Sequence, residues 1–341
     1  MIGRDQLIRL TRQLVDAPSV TGQEKVVGDF VVERLSKEGW TCSRQTVSGD
    51  RFNVLATRGV PRVIFSTHLD TVPPFFASSE DDTHVYGRGA CDAKGIAAAM
   101  ICAAEQLAAE GRGDVALLFV VGEETESDGA AVASRLTPPV AFLVNGEPTD
   151  NELATGHKGV VLARIEAEGI AAHSGYPDRG DSAIARLIDV LQDLRNYAFP
   201  DDPLLGRPYL NIGAIQGGVA ANVIPDSAEA VILIRTVAPS RVYVDRLKTI
   251  VGDRCRLVVS KASEPQTMLA LPDFPTKVVG YGTDIPLLRS LGRPLLLGPG
   301  SIFDAHTPTE KVSKGELSRA VDLYVAVVKR LDGVVRLDRW V

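Results

Sequence analysis

Cysteine is scarce in this chain. Four occur in 341 residues, Cys42, Cys91, Cys102 and Cys255. No two form a C-x-x-C pair and their scatter suggests no disulfide framework, so a reducing cytoplasm is the expected compartment. Long apolar runs are missing too. Runs such as Val115 to Val121 fall far short of the roughly 20 residues a bilayer crossing needs. The amino-terminal MIGRDQLIRLTRQLV mixes charge into an amphipathic helical pattern and lacks the apolar centre of a signal peptide. Positive charge is in the minority. Lys and Arg number 37 against 43 Asp and Glu, for a net charge of −6, and no basic patch stands out, which disfavours nucleic acid as a partner. Glycines in G-x-G-x-x-G spacing, internal repeats and low-complexity tracts are also absent, which argues against a dinucleotide site or a repeat array.

What is present is an ordinary apolar fraction, 45%, and enough length for about two domains. Three- and four-residue apolar spacing predicts helices at 4–15 and 23–38. Short apolar runs at 52–57, 62–67, 115–121 and 141–145 predict strands buried on both faces, alternating with helices at 94–110 and 128–136. That alternation is the mark of an α/β sheet flanked by helices. From about Gly159 the order becomes strand 160–168, helix 181–196, strands 208–216 and 227–237, helix 240–251 and strand 255–261. This β-α-β-β-α-β succession predicts a ferredoxin-like α+β domain inserted over 159–264. The first pattern then resumes with helices at 284–291 and 315–332 around a strand at 294–297. The expected organisation is a discontinuous catalytic domain, 1–158 and 265–341, interrupted by a lid.

Acids and histidines collect where strands end. His68 and Asp70 follow the 62–67 strand, Glu123 and Glu124 follow 115–121 across a glycine, and Glu147 follows 141–145 across another. The carboxyl edge of an open α/β sheet is where ligands bind. Asp92, in YGRGACDAKG, precedes the 94–110 helix as an N-cap would, and His306 follows a glycine-rich loop. Singly, each has a plain structural reading: a turn cap, an N-cap, an acidic loop, a core histidine. Jointly they change the odds, because the chain has only five histidines. Imidazole and carboxylate donors without thiolate suit zinc, cobalt or manganese. A shared carboxylate could hold two such ions about 3.5–4 Å apart.

In order, the segments STHLDTVPP, YGRGACDAKG, GEETESDGA, NGEPTD, AHSGYP and GPGSIFDAHTPTEKV resemble the M20 metallopeptidase family, which includes acetylornithine deacetylases, succinyl-diaminopimelate desuccinylases, aminoacylases and carboxypeptidase G-type enzymes. The resemblance implies that Asp92 bridges two divalent ions, Zn2+ foremost. His68 and Glu147 would complete one site, Glu124 and His306 the other. It implies Glu123 as general base, Asp70 as the carboxylate behind His68, and His173 as the lid histidine that stabilises the oxyanion. Asn222 and Arg235 would bind the substrate's polar end, beside a loop of Gly298, Gly300 and Ser301. Within the family, GHKG and GPGSIFDAH look most like acetylornithine deacetylases, implying a small N-acyl amino acid as substrate, with a dipeptidase or carboxypeptidase as the alternative. A homodimer through the inserted domain is the expected assembly. Two positions stay open: His157, which reads as a loop histidine, and the Asp92–Ala93 bond, often cis in the family, where Ala93 replaces the usual methionine.

Overall fold

The computed structural model describes residues 3–334. They fall into two compact units. One runs to Thr155 and resumes at Met268–Lys277 and from Thr283; the other is Gly156–Thr267 with Val278–Gly282.

The first unit is built on a six-stranded mixed sheet. Its order is Thr41–Ser48, Arg51–Thr57, Val115–Val120, Val63–His68, Phe142–Asn145 and Arg293–Leu296. The last four run parallel. Their side chains alternate between two cores, as period-two geometry requires. Val63, Phe65, Leu117 and Phe119 join the helices Arg4–Asp16, Lys25–Lys37, Lys94–Ala109 and Lys314–Leu331 on one face. Ile64, Ala116, Leu118 and Leu143 meet Ala130, Ala133, Leu288 and Leu291 on the other. The sheet is therefore covered on both sides, which is why its central strands read as unbroken apolar runs. The Lys94–Ala109 helix is small-residued and buried along most of its length, so it lies close against the Arg4–Asp16 and Lys314–Leu331 helices.

The expected elements of this unit occur within a few residues of their places, alongside short strands that were not expected, such as His84–Tyr86, Leu153–His157 and Lys311–Ser313. The Thr41–Ser48 strand was not expected; it is an exposed edge strand of a hairpin, and its sequence TCSRQTVS has no apolar face to betray it. The 128–136 helix is shorter, Asp128–Ala133.

The second unit is a four-stranded antiparallel sheet in the order Tyr209–Gly217, Ser227–Thr236, Gly159–Glu168 and Arg256–Ser263. Its core joins one sheet face to the helices Ala183–Asn196 and Ser240–Val251, through Val161, Ala163, Ile165, Leu187, Leu191, Ile232, Ile234, Tyr243 and Leu247. Strand order and connections are those of the split βαβ arrangement. Among the described residues no helix is long and apolar enough to cross a membrane.

Candidate metal centre

Four parallel strands of the first unit end on one edge, and the chain leaving each carries site residues. Val63–His68 delivers His68 itself. Val115–Val120 leads through Gly122 to Glu123 and Glu124. Gly122 has φ +78, and a Cβ there would lie 2.1 Å from Asp128 Oδ1, so glycine is required for the turn. Phe142–Asn145 leads to Glu147, and Arg293–Leu296 leads to Gly298. A fifth segment, the loop before the Lys94–Ala109 helix, brings Asp92.

Asp92 lies between two imidazoles. Its Oδ1 is 3.0 Å from His68 Nε2 and its Oδ2 is 3.3 Å from His306 Nε2. Glu124 Oε1 stands 2.9 Å from His306 Nε2, and Glu147 Oε2 4.0 Å from His68 Nε2. The two oxygens of one carboxylate thus face two separate donor pairs. Asp92 is not an N-cap: that place belongs to Ala93, with no side-chain cap bond, and the Asp92–Ala93 bond is cis. The acid is spent on the histidines instead.

Asp70 differs from expectation in one respect. His68 Nδ1 donates to the main-chain carbonyl of Asp70 at 2.9 Å, while the Asp70 carboxylate stands at 3.5 Å. That carboxylate accepts the N–H groups of Glu123 and Glu124, each at 3.1 Å, and the Thr21 hydroxyl at 2.9 Å. It therefore fixes the glutamate loop and also favours the charged imidazole beside it.

The electrostatics follow from this packing. Burial opposes a charge on His68, yet Asp70, Asp92 and Glu147 hold its pKa well above the ordinary value. Burial likewise opposes the Asp92 carboxylate, and His306 and His68 hold it below the usual range. Hydrogen bonds to Asp92 and Glu124 raise half-exposed His306 to about 10, so a cation settling there must displace a proton. Burial pushes the Glu123 carboxyl well up, helped by Asp284, Glu124 and Asp92 and opposed by His68. Glu147 is raised for the same first reason, and its Oε1 is buried without a partner.

These residues fit divalent cations. His68, Asp92 and Glu124 present donor atoms within 4.8 Å of one another. The set is imidazole and carboxylate, the donors zinc, cobalt and manganese accept. The orphaned Glu147 oxygen has a use if a cation is its partner. Cys91 is not a competing donor, because its buried Sγ donates to the Ser301 carbonyl at 3.3 Å.

A family model described as peptidase family M20/M25/M40 matches residues 64–330, the stretch that holds every one of these donors. The chain belongs to that family. A peptidase M20 domain-containing protein of Schizosaccharomyces pombe is 38% identical over 95% of this chain and 84% of its own. A probable carboxypeptidase of Aspergillus clavatus is 35% identical over 97% of this chain and 90% of its own. Among solved structures, a tripeptidase from Staphylococcus aureus superposes with a TM-score of 0.81 at 19% identity, covering 96% of this chain and 98% of that one, which speaks to the M20 fold alone. These relatives carry peptidase names, not deacetylase names.

The other residues expected in the site of this M20 peptidase have diverse settings. The Gly298 carbonyl accepts N–H groups from Thr149 and Asn151, and the Gly300 carbonyl accepts that of Asp150. Gly300 has φ +84, and a Cβ there would press on Cys91 Sγ at 2.6 Å. Ser301 bridges to Thr149. The glycine loop thus braces the turn after Glu147, and these carbonyls are engaged within the protein.

His173, Asn222 and Arg235 belong to the second unit. The exposed residues His173 and Asn222 lie together: His173 pairs with Val223 in a short ladder, and Ser174 N donates to the Asn222 carbonyl at 3.0 Å. His173 Nδ1 accepts the Gly175 N–H at 3.1 Å, and its ring meets Tyr176 edge-on. Arg235 sits on the Ser227–Thr236 strand, its side chain making no hydrogen bond or ion pair among the described residues, and burial lowers its pKa.

His157 is a strand residue, not a loop residue. It ends the strand Leu153–His157 and is buried, with Nδ1 donating to the Lys158 carbonyl and Nε2 without a partner. Burial, assisted by the charge of Arg235, depresses it from 6.5 to about 4. A depressed value means stability present above the unfolded pKa and lost as pH falls toward the folded one. His157 should therefore cost the fold about 3 kcal/mol between neutral pH and pH 4. In urea unfolding at pH 7 and pH 4, His157→Gln should lose less stability than the parent by that margin; equal losses would show that His157 does not titrate this way.

Three residues had no sequence signal that singled them out. Asp284 is buried at the start of the helix Ile285–Leu288 and bears on Glu123 by charge. Lys94 is buried, donates to the Ala17 carbonyl at 2.7 Å, and is pushed down to about 7 by burial. Glu310 is buried beneath the Asp92 loop. Only its position four residues after His306 could have drawn attention to it.

Proposed function

We propose that this chain is a metal-dependent exopeptidase that hydrolyses the terminal peptide bond of short peptides with a free carboxylate. The observation that carries the metal part is the Asp92 carboxylate, with one oxygen turned to His68 and the other to His306. The substrate class rests on likeness to the carboxypeptidase relative. We assign His68, Asp92 and Glu147 to one cation and Asp92, Glu124 and His306 to a second. Bound there, the ions would polarise the scissile carbonyl and make water acidic enough to attack. Glu123 is the proton carrier: its carboxylate takes the water's proton and returns it to the leaving nitrogen. Asp70 holds Glu123 in place through the backbone. We assign His173 to the developing oxyanion, and Arg235, whose side chain has no hydrogen-bond or ion-pair partner among the described residues, to the substrate carboxylate, whose planar geometry its fork matches. A homodimer is supported by the strand Tyr209–Gly217, an exposed sheet edge carrying exposed Tyr209 and Ile215.

The N-acyl amino acid deacylase expected from GHKG and GPGSIFDAH would use the same machinery, so substrates decide. Metal-loaded protein is assayed on dipeptides, tripeptides, their C-terminal amides and acetyl-, succinyl- and formyl-amino acids. Free peptides should exceed their amides in kcat/KM by about 100-fold. Preference for an acylated amino acid would replace this reading with the deacylase.

A further inference from the structure

Glu310 is buried, with no exposed surface, and meets the metal centre through backbone alone. Its Oε1 accepts three backbone N–H groups, from Gly89 at 3.0 Å, Cys91 at 3.1 Å and Asp92 at 3.0 Å. Its Oε2 accepts Arg88 Nη1 at 2.6 Å, and Arg88 is itself buried and donates through Nε to the Pro74 carbonyl. Three converging N–H groups in four residues are a demand the loop makes because its own backbone cannot satisfy them. A carboxylate is the side chain able to accept so many at once.

The segment that supplies this carboxylate also supplies His306. It is stitched to the chain ahead of the Asp92 loop: Gly87 N donates to the Glu310 carbonyl, and Lys311–Ser313 pairs with His84–Tyr86. One residue therefore ties the backbone under Asp92 to the backbone that carries the second imidazole.

We propose that Glu310 is a positioning residue for the metal centre, fixing Gly89–Asp92 against the His306 segment so that the Asp92 carboxylate already spans both imidazoles before a cation arrives. Ligands held in place by bonded partners bind metal more tightly, and loss of such partners costs about 10- to 100-fold in affinity. An ordinary buried ion pair would stabilise the fold without touching the geometry of Asp92. The inference rests on the metal-binding part of the function proposed above, and it is tested by metal uptake, not turnover.

Co2+ serves as the probe, titrated into metal-free full-length protein by calorimetry and followed by its visible absorption. Glu310→Ala should bind Co2+ 10- to 100-fold more weakly and show a changed absorption spectrum at saturation. The double variant Glu310→Gln with Arg88→Met keeps a carbonyl for the three N–H groups and removes the guanidinium that the new amide would face. It should return to within about threefold of the parent's affinity, with the parent's spectrum. Parent-like affinity and spectrum in Glu310→Ala, even with a lowered Tm, overturns the proposal. If Glu310→Ala does not fold, Glu310→Asp replaces it, since its shortened carboxylate cannot reach the loop; a chain that folds with neither makes Glu310 a determinant of the fold and also overturns it. A parent that takes up no Co2+ removes the metal reading, and this inference with it.

Discussion

Glu123→Gln should lower kcat by about 1,000-fold or more while the protein keeps its metal. The substitution preserves size and leaves the Glu123 N–H on Asp70 undisturbed. What it removes is the ability to accept a proton. The carboxyl is only partly exposed and surrounded by Asp284, Glu124 and Asp92, all of which favour the protonated acid. A raised pKa suits a group that must both take and return a proton near neutral pH, and cations at the neighbouring carboxylates would draw it back toward ionisation. Activity should accordingly fall on the acid side, as Glu123 becomes protonated, and this limb should disappear in the variant's residual rate. The check is steady-state kinetics from pH 5 to 9 alongside metal content by atomic emission. A rate within tenfold of the parent, at full metal content, would remove Glu123 from its role.

Asp92→Asn should be the most damaging change for metal. The acid offers one oxygen to each imidazole, and the amide offers one oxygen and one N–H group. Whichever way it turns, one donor pair faces an N–H. Affinity for Zn2+ should fall at both positions by about 100-fold or more, since a ligating charge is lost and not merely a supporting bond. Glu147→Gln, by contrast, should weaken one position and leave the Glu124–His306 pair able to bind. The measurement is Zn2+ stoichiometry under a competing chelator. An Asp92→Asn protein that still holds two equivalents would show that the carboxylate bridges nothing. A separate NMR titration of the metal-free variant should find His306 less basic, because the hydrogen bond to Asp92 is the foremost influence that raises it.

Much of this architecture was legible because it is written locally. Strands such as Val63–His68 and Val115–Val120 are buried on both faces and announce themselves as apolar runs. The second unit's elements alternate or repeat at helical spacing, so their order could be read directly. The donors stood out because acids rarely follow such strands without purpose. Other features lay beyond reach because they depend on contacts distant in sequence. Glu310 bonds to residues some 220 positions earlier, and nothing in TPTEKV marks it apart from a solvated acid. Asp284 bears on Glu123 only by charge, after a long excursion of the chain. The Thr41–Ser48 strand has one wet edge and a polar sequence, so its conformation comes from its hairpin partner. The N-cap reading of Asp92 failed for a related reason: local preference was outweighed by two histidines from distant segments. His157 looked like a loop residue because a glycine stands at each end of GHKG, yet it is buried and its strand pairs with Gln266.

Asp70 carries a last consequence. One carboxylate holds the main chain of two adjacent residues to which we assign different occupations, proton traffic at Glu123 and cation holding at Glu124. The two are mechanically a single part. Any change at Asp70 shifts both together, so successive substitutions there cannot improve one task while sparing the other. Variation in metal preference has to be sought at the tips of Glu124 or His306, and variation in proton handling at the surroundings of the Glu123 tip, such as Asp284. The loop that joins them is common ground, and natural or laboratory selection that alters it must re-establish two functions at once.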